Sequence, residues 1–370
     1  MRIVSVVGTR PQLIKAAALW PSLRARHDDV FVDTGQHWDE PLAGAFFGEL
    51  GLPRPDHSLG IGGGTNTDQL ARMLPALAAV LERERPDAVL VCGDTNSTLA
   101  GALAGSAAGV PVAHVEAGLR SFDRRMPEET NRVLTDHVAS WLFAPTPAAV
   151  ANLAAEGVTA GVHEVGDVMQ DLAARVAPTL RDPAALAAVS GRFGRSLAPG
   201  SYLFATVHRA ENRAPAAIAA WAALLAAASG PDRAVVLALH PGTRAAAAAA
   251  GVALGPPIVV IDPQPYASTL ALELHAAAVL TDSGGVQREA AWLGVPCLIL
   301  RPTTEWVEAV AASGGSMVVV GLDRERALSE LDRLAPAAAA PSLARARAAA
   351  LELSPAGAAE RIASLLGSEG

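Results

Sequence analysis

The sequence predicts an α/β protein made of two Rossmann-like halves, each a parallel sheet flanked by helices. Three observations carry this. At 370 residues the chain exceeds what one hydrophobic core usually serves, and roughly 100–200 residues per domain makes two domains the expectation. Short apolar β-rich runs alternate with longer Ala- and Leu-rich stretches, the pattern of βαβ units whose strands are covered on both faces. Several of these runs end in a polar turn that opens the next helix, and open α/β sheets bind ligands at such strand ends.

Taken in order, strands are expected at 3–7, 30–33, 88–92, 112–115 and 141–143, then at 202–207, 234–239, 258–261, 278–281, 297–300 and 317–320. The boundary falls near 166–171, giving an N-terminal domain over 1–167 and a C-terminal domain over 168–353. Ala-rich tracts at 214–228, 244–250, 335–340 and 345–350 have high helix propensity and little chemical content, and read as scaffold. The tail carries Leu351, Leu353, Ile362, Leu365 and Leu366 at roughly helical spacing. No short repeat suggests a solenoid.

A net charge of −8 with no basic block argues against nucleic acid or an anionic membrane as partner and suits a cytoplasmic protein. A small anion is still within reach, because a few cations and backbone N–H groups at one site bind phosphate whatever the global charge. Residues 1–8 read as a buried strand rather than a signal peptide, and no run reaches the roughly 20 apolar residues of a membrane span. Cys92 and Cys297 both sit in apolar runs, which reads as core packing and gives no support to a disulfide framework.

The run 278–281 feeds Asp282-Ser283-Gly284-Gly285, and 286–293 reads as a helix closed by Gly294 and Pro296. Glycines at a helix start expose unpaired N–H groups at the positive end of the helix dipole, so this corner is a phosphate site or an ordinary tight turn. Gly8-Thr9-Arg10-Pro11-Gln12 is the equivalent corner in the first half, with Lys15 on the helix that follows. Asp94 and Glu116 follow apolar strands, and Glu128 follows Pro127, a favoured first helical position. Three acids converging on one cleft would crowd like charges and raise at least one pKa, as general acid/base work requires. His208 closes the run 202–207 as a proton-shuttle candidate, His240 ends another strand, and His37 follows Gln36. The histidines show no paired metal-ligand spacing, so no metal is expected. No G-x-G-x-x-G follows the first strand, Gly60, Gly62, Gly63 and Gly64 do not restore one, and no nicotinamide or other cofactor is expected. These four glycines read as a mobile loop.

His114-Val115-Glu116-Ala117-Gly118-Leu119-Arg120, Met126-Pro127-Glu128-Glu129-Thr130-Asn131-Arg132, Gly93-Asp94-Thr95, Val207-His208-Arg209-Ala210-Glu211-Asn212 and Thr281-Asp282-Ser283-Gly284-Gly285-Val286-Gln287 occur in order along nearly the whole chain. Together they resemble the UDP-N-acetylglucosamine 2-epimerases of the non-hydrolysing type. The resemblance implies a GT-B-like pair of domains with the active site in the interdomain cleft, UDP held mainly by the second domain, 354–370 as a C-terminal helix packing back on the first, and a homodimer. It matches Asp94, Glu116, Glu128 and His208 to the catalytic positions. It matches Arg10, Lys15, Ser283, Gly284, Gly285 and Glu289, the last on the ribose hydroxyls, to ligand contacts; Gln36, His37, His240 and Arg301 complete the expected substrate-binding set.

The implied chemistry is chemically coherent. The C2 proton of an N-acetylhexosamine is not next to a carbonyl, so epimerisation without a nicotinamide proceeds by loss of UDP from C1 with the C2 proton, giving a glycal, and re-addition with the proton returned to the other face. Acids around the ring and cations on the departing diphosphate are the necessary parts. Two departures limit the transfer. The segment between Glu116 and Glu128 is shorter than in enterobacterial-type enzymes. Gln36-His37 is followed by Trp38-Asp39-Glu40, where the family's regulatory site usually shows Arg or Gln, so allosteric activation by substrate is not carried over. Arg120-Ser121-Phe122-Asp123-Arg124-Arg125-Met126 and Thr304-Glu305-Trp306-Val307-Glu308 also resemble the subgroup that acts on UDP-2,3-diacetamido-2,3-dideoxyglucuronate. A hydrolysing epimerase, a GT-B glycosyltransferase and a non-catalytic nucleotide-sugar sensor are the competing readings. The transferase would need an acceptor site, and no amphipathic membrane-docking segment is present; the sensor would not need all four catalytic side chains.

Overall fold

The structure is a computed structural model that describes residues 1–36, 51–230, 233–334 and 336–368. The chain divides into two compact units, Met1–Leu172 with Leu353–Gly370, and Ala173–Glu352. His37 and the Trp38-Asp39-Glu40 segment lie outside the described residues.

The first unit is built on seven parallel strands: β1 (Arg2–Val7), β2 (Asp28–Asp33), β3 (His57–Ser58), β4 (Ala88–Cys92), β5 (Val112–Val115), β6 (Trp141–Ala144) and β7 (Val162–Glu164). They lie in the order β3-β2-β1-β4-β5-β6-β7. One face packs Val4, Val6, Val30, Val32, Val89 and Val91 against Met73 and Leu77 of helix Asn66–Glu84 and Ala100 and Ala104 of helix Asn96–Ala107. On the other, Val7 and Phe31 pack on Leu13 and Ala17 of helix Arg10–Arg26. Both faces are covered, which is why these strands read as continuous apolar runs.

Helix Ala358–Ser368 lies against helix Arg10–Arg26. His27 Nε2 pairs with the Ala363 carbonyl at 2.7 Å, Arg26 pairs with Glu360, and the Asp171 carboxylate accepts from Gly357 N at 2.5 Å and Ala359 N at 2.8 Å. The last two bonds satisfy N–H groups that a helix start leaves without partners.

The second unit carries six parallel strands: β8 (Tyr202–Val207), β9 (Ala234–Leu239), β10 (Ile258–Ile261), β11 (Ala278–Thr281), β12 (Cys297–Ile299) and β13 (Met317–Val319). Their order is β10-β9-β8-β11-β12-β13. Trp221 of helix Pro215–Ala228 is fully buried against this sheet, and its indole N–H donates to the Asn212 carbonyl at 3.0 Å.

In each sheet the strand order reverses between the first strand and its fourth, at β1/β4 and at β8/β11. The crevice beyond the strand ends at such a switch point is where doubly wound sheets hold ligands. Three local departures from the sequence reading occur. The short polar strands β3 and β7 are additional. Residues 336–340 and 345–350 of the Ala-rich tracts belong to one helix, Pro336–Leu353, that runs through Pro341. The helix after β11 spans Gly284–Leu293, so it starts at the first glycine rather than at Val286, and ends at Gly294 with φ 76°. Cys92 and Cys297 are buried free thiols. No helix among the described residues is long and apolar enough to cross a membrane.

Candidate active site

At the β1/β4 switch point, the first corner is fixed by packing before it can bind anything. A Cβ on Gly8 would overlap Thr34 Oγ1 and Ser97 Oγ, so only glycine lets β1 turn into its helix. The Gln12 amide stitches this corner to the next: its Nε2 donates to Cys92 O and to Thr98 Oγ1, both at 2.9 Å, while its Oε1 accepts from Gly8 N at 2.9 Å. Arg10 and Pro11 open helix Arg10–Arg26 from the extended Thr9. Gln36, expected as a ligand contact, is buried, and its Oε1 accepts from Ser97 N at 2.9 Å and Ser97 Oγ at 2.7 Å. The structure therefore gives that oxygen to the start of helix Asn96–Ala107.

Lys15 forms an ion pair with Glu116 in which the side chains are only 11 % and 10 % exposed. The pair lies over Gly93, where φ is 68° and a Cβ would come within 2.9 Å of Lys15 Nζ and 3.3 Å of Glu116 Oε2. Glu116 itself has φ 75°; a left-handed non-glycine residue costs about 1–3 kcal/mol and such strain collects at functional sites. Asp94, one residue past Gly93, pairs with Arg132, and its carbonyl accepts from Asn131 Nδ2 at 2.9 Å. Each of these two carboxylates has its own cation, supplied from a distant point in the chain.

The two glutamates at the start of helix Pro127–Val138 divide the work. Glu129 is buried, and it accepts from Ser121 N and Ser121 Oγ at 2.8 Å and from Phe122 N at 3.0 Å. It folds the preceding loop onto the helix. Glu128, the candidate catalytic acid, is half-buried beside it. Behind the strand ends, fully buried His114 joins Asp136 Oδ1 at 2.7 Å and the Gly93 carbonyl at 2.8 Å. Arg120 Nη1 meets Asp136 Oδ2 at 2.7 Å and its Nε donates to Glu156 at 2.7 Å. The cations beside Asp136 overcome its desolvation and hold its pKa below the ordinary value. This network pins the Gly93 turn from beneath.

At the β8/β11 switch point, Asp282 is fully buried and serves as a hub. Its carboxylate accepts from His208 N at 3.0 Å, Arg209 N at 2.9 Å and Asn212 Nδ2 at 2.9 Å, and its Oδ1 lies 3.4 Å from His208 Nδ1. Desolvation lowers the pKa of His208; Asp282 opposes this, and Arg209, His240 and Arg213 add to it. The His208 side chain is 41 % exposed. A neutral imidazole at neutral pH is ready to accept a proton.

Ser283 caps helix Gly284–Leu293, and Gly284 and Gly285 form its first turn. Their N–H groups supply the anion-binding end of a helix dipole. Glu289 is buried one turn on, with Tyr266 and fully buried Glu273 nearby. Desolvation, with the charge of Glu289, pushes the Glu273 carboxyl well above its ordinary value. Arg301 is only 2 % exposed, with Nε on Glu211 at 3.0 Å and Nη1 on Glu305 at 2.9 Å. It therefore holds two carboxylates in place. The His240 imidazole caps helix Pro241–Ala249, accepting from Gly242 N at 3.1 Å through Nδ1. The glycine loop before helix Asn66–Glu84 is braced by Arg72 Nη2, which donates to Gly63 O at 2.7 Å and Gly62 O at 3.1 Å. Among the described residues no cluster of His, Cys, Asp or Glu is placed to hold a metal ion.

Asp94, Glu116, Arg10 and Lys15 thus share one switch point and His208, Ser283, Gly284 and Gly285 the other. Sequence reasoning assigned no role to Arg132, Asp282 or Asp136, although the first two lie inside quoted motifs; a buried charge among motif residues was the available signal.

These features define a class: a protein of two Rossmann-like units of the GT-B kind, with acid–cation pairs at one switch point and a serine-capped, glycine-led helix start at the other. The sequence profile of UDP-N-acetylglucosamine 2-epimerase matches residues 22–367, and the chain belongs to that family. It is 44 % identical over 331 residues to a UDP-2,3-diacetamido-2,3-dideoxy-D-glucuronate 2-epimerase of Pseudomonas aeruginosa, covering 88 % of this chain and 90 % of the relative. It is 38 % identical over 343 residues to a UDP-N-acetylglucosamine 2-epimerase of Methanocaldococcus jannaschii, covering 90 % and 92 % of the two chains. A crystal structure of the Methanocaldococcus jannaschii UDP-GlcNAc 2-epimerase in complex with UDP-GlcNAc and UDP aligns with a TM-score of 0.85 at 35 % identity, covering 99 % of each chain.

Proposed function

We propose that the chain is a non-hydrolysing 2-epimerase that interconverts UDP-N-acetylglucosamine and UDP-N-acetylmannosamine. The observation that carries this reading is the pair of acid–cation contacts at the ends of the neighbouring strands β4 and β5, Arg132 with Asp94 and Lys15 with Glu116, in a member of this family. The C2–H and C1–O bonds break together, a carboxylate takes the proton, and UDP departs with the bonding electrons of the C1–O bond. Re-addition of UDP at C1 with protonation on the other face completes epimerisation. In this reading the two units divide the parts of the reaction. The first supplies Asp94, Glu116 and Glu128 with Arg10 and Lys15, and the second supplies His208 and holds UDP through Ser283, Gly284, Gly285 and Glu289. Gln36, His37, His240 and Arg301 support this site. A cytoplasmic homodimer is the assembly proposed with it, on the family resemblance alone.

NMR of the protein with UDP-N-acetylglucosamine in D2O, without added metal or nicotinamide, tests the reading. Formation of UDP-N-acetylmannosamine with deuterium at C2 and an intact diphosphate is the expected result; release of free UDP and N-acetylmannosamine overturns it in favour of hydrolysis. A second reading, the 2-epimerisation of UDP-2,3-diacetamido-2,3-dideoxyglucuronate, is favoured by the 44 % identity to the Pseudomonas aeruginosa enzyme. Turnover of that sugar alone in the same experiment selects it.

A further inference from the structure

The loop after β12 brings an indole to the start of helix Gly284–Leu293. Trp306 is 5 % exposed, yet its Nε1–H has no hydrogen-bond partner among the described residues. A Cβ built on Gly284 would lie 3.2 Å from that Nε1, 3.9 Å from Arg209 Nη2 and 3.9 Å from Glu305 Oε2. The indole therefore aims its only donor across the first turn of the helix, beside a guanidinium. Glu305 is engaged by Arg301 Nη1 at 2.9 and 3.1 Å, and the same guanidinium also holds Glu211.

The ring is held there from both sides of the loop. Arg288 stacks its guanidinium 4.0 Å from the Trp306 ring centroid and 5.6 Å from that of Trp292. Such a desolvated cation–π contact fixes the plane of the ring. Trp306 N donates to Thr304 Oγ1 at 3.2 Å, and the Thr304 hydroxyl in turn bonds Gln287 Oε1 at 2.7 Å. Gln287 and Arg288 both belong to helix Gly284–Leu293, so the helix that offers the backbone N–H groups also positions the indole.

We infer that the Trp306 indole N–H is a direct donor to a phosphate oxygen of a nucleoside diphosphate bound at Gly284-Gly285. This rests on the epimerase reading above and adds a ligand contact to it.

The test is side-chain NMR on protein labelled with 15N-indole tryptophan, titrated with UDP. The chain has six tryptophans, and Trp306→Phe assigns the signal. A downfield shift of the Trp306 indole proton on UDP saturation is expected, with UDP affinity falling about tenfold in Trp306→Phe, as for loss of one bond to a charged group. Where Trp306→Phe does not fold, through-bond backbone assignment of the wild type identifies the Trp306 indole signal instead. An indole proton unmoved by UDP, or a folded Trp306→Phe that binds UDP as the wild type does, overturns the inference while leaving the epimerase reading intact. A wild-type protein that neither binds UDP nor turns over a UDP-sugar overturns both.

Discussion

The Asp282 carboxylate lies 3.4 Å from His208 Nδ1 while accepting the His208 and Arg209 backbone N–H groups at 3.0 and 2.9 Å. One buried acid thus sets both the backbone turn and the ring orientation of the candidate proton shuttle. Asp282 follows β11 and His208 follows β8, neighbouring strands in register through Thr281 and Thr206, so the contact is a direct product of the sheet.

Asp282→Asn keeps the shape but loses an acceptor and presents N–H bonds to three donors. We expect kcat to fall about 10- to 100-fold, less than the roughly 10²–10⁴ expected for His208→Ala, with KM moved little. The stability cost is about 1–3 kcal/mol, that of leaving buried donors unsatisfied. Steady-state kinetics and thermal unfolding of the two variants measure this, and wild-type kcat in Asp282→Asn rejects the positioning role.

Gly93→Ala separates stability from activity at the other switch point. The backbone strain of alanine at φ 68° costs about 1–2 kcal/mol. The new methyl would meet the tip of Lys15 at 2.9 Å, and that flexible side chain can move away. Lys15 then leaves Glu116, so kcat should fall at least about tenfold in a protein that still folds. Full activity with a lowered melting temperature would mean that the ion pair is scaffold only.

Asp136 joins His114 and Arg120 at 2.7 Å each in a fully buried cluster. Asp136→Ala leaves two cationic or hydrogen-bonding partners buried without their anion, at about 3–5 kcal/mol. Because the folded pKa of Asp136 is depressed, its contribution is present above the ordinary carboxylate range and is lost as pH falls through the lowered value. The variant should therefore differ from wild type in melting temperature at pH 7 and converge with it in strong acid; a constant offset across pH would rule out the ionic contribution.

How far all this could be read in advance follows the physics of each element. The interior strands were legible because they are apolar on both faces, whereas β3, two residues long, and β7, which is Val-His-Glu, carry no such run. The helix starting at Gly284 was obscured because glycine disfavours helix interiors, yet at the first turn, behind the Ser283 cap, that cost is small. The acids Asp94 and Glu116 stood out at strand ends. Their cations did not, since Lys15 is 101 residues from Glu116 and Arg132 is 38 from Asp94, and only the fold joins them. The partners of Arg301 and Gln36, which are Glu211 and Glu305 for the first and Ser97 for the second, were likewise hidden, because only the fold brings them together.

Asp29 gives a prediction away from the site. It is 4 % exposed on β2, bonded to Ser5 Oγ at 2.5 Å, and desolvation pushes its pKa from the ordinary 3.8 up to about 6. Below the ordinary value the group is neutral in both states and contributes nothing. As pH rises toward 6 the unfolded chain ionises while the folded one resists, so stability falls, and above 6 the penalty is complete. Two pKa units correspond to at most about 3 kcal/mol. Asp29→Asn, which cannot ionise, should match wild type near pH 3.5 and gain in melting temperature between pH 4 and 6, with the gain constant above. A variant less stable than wild type at pH 7.5 would show that the Ser5 bond to the carboxylate outweighs the cost of burying its charge.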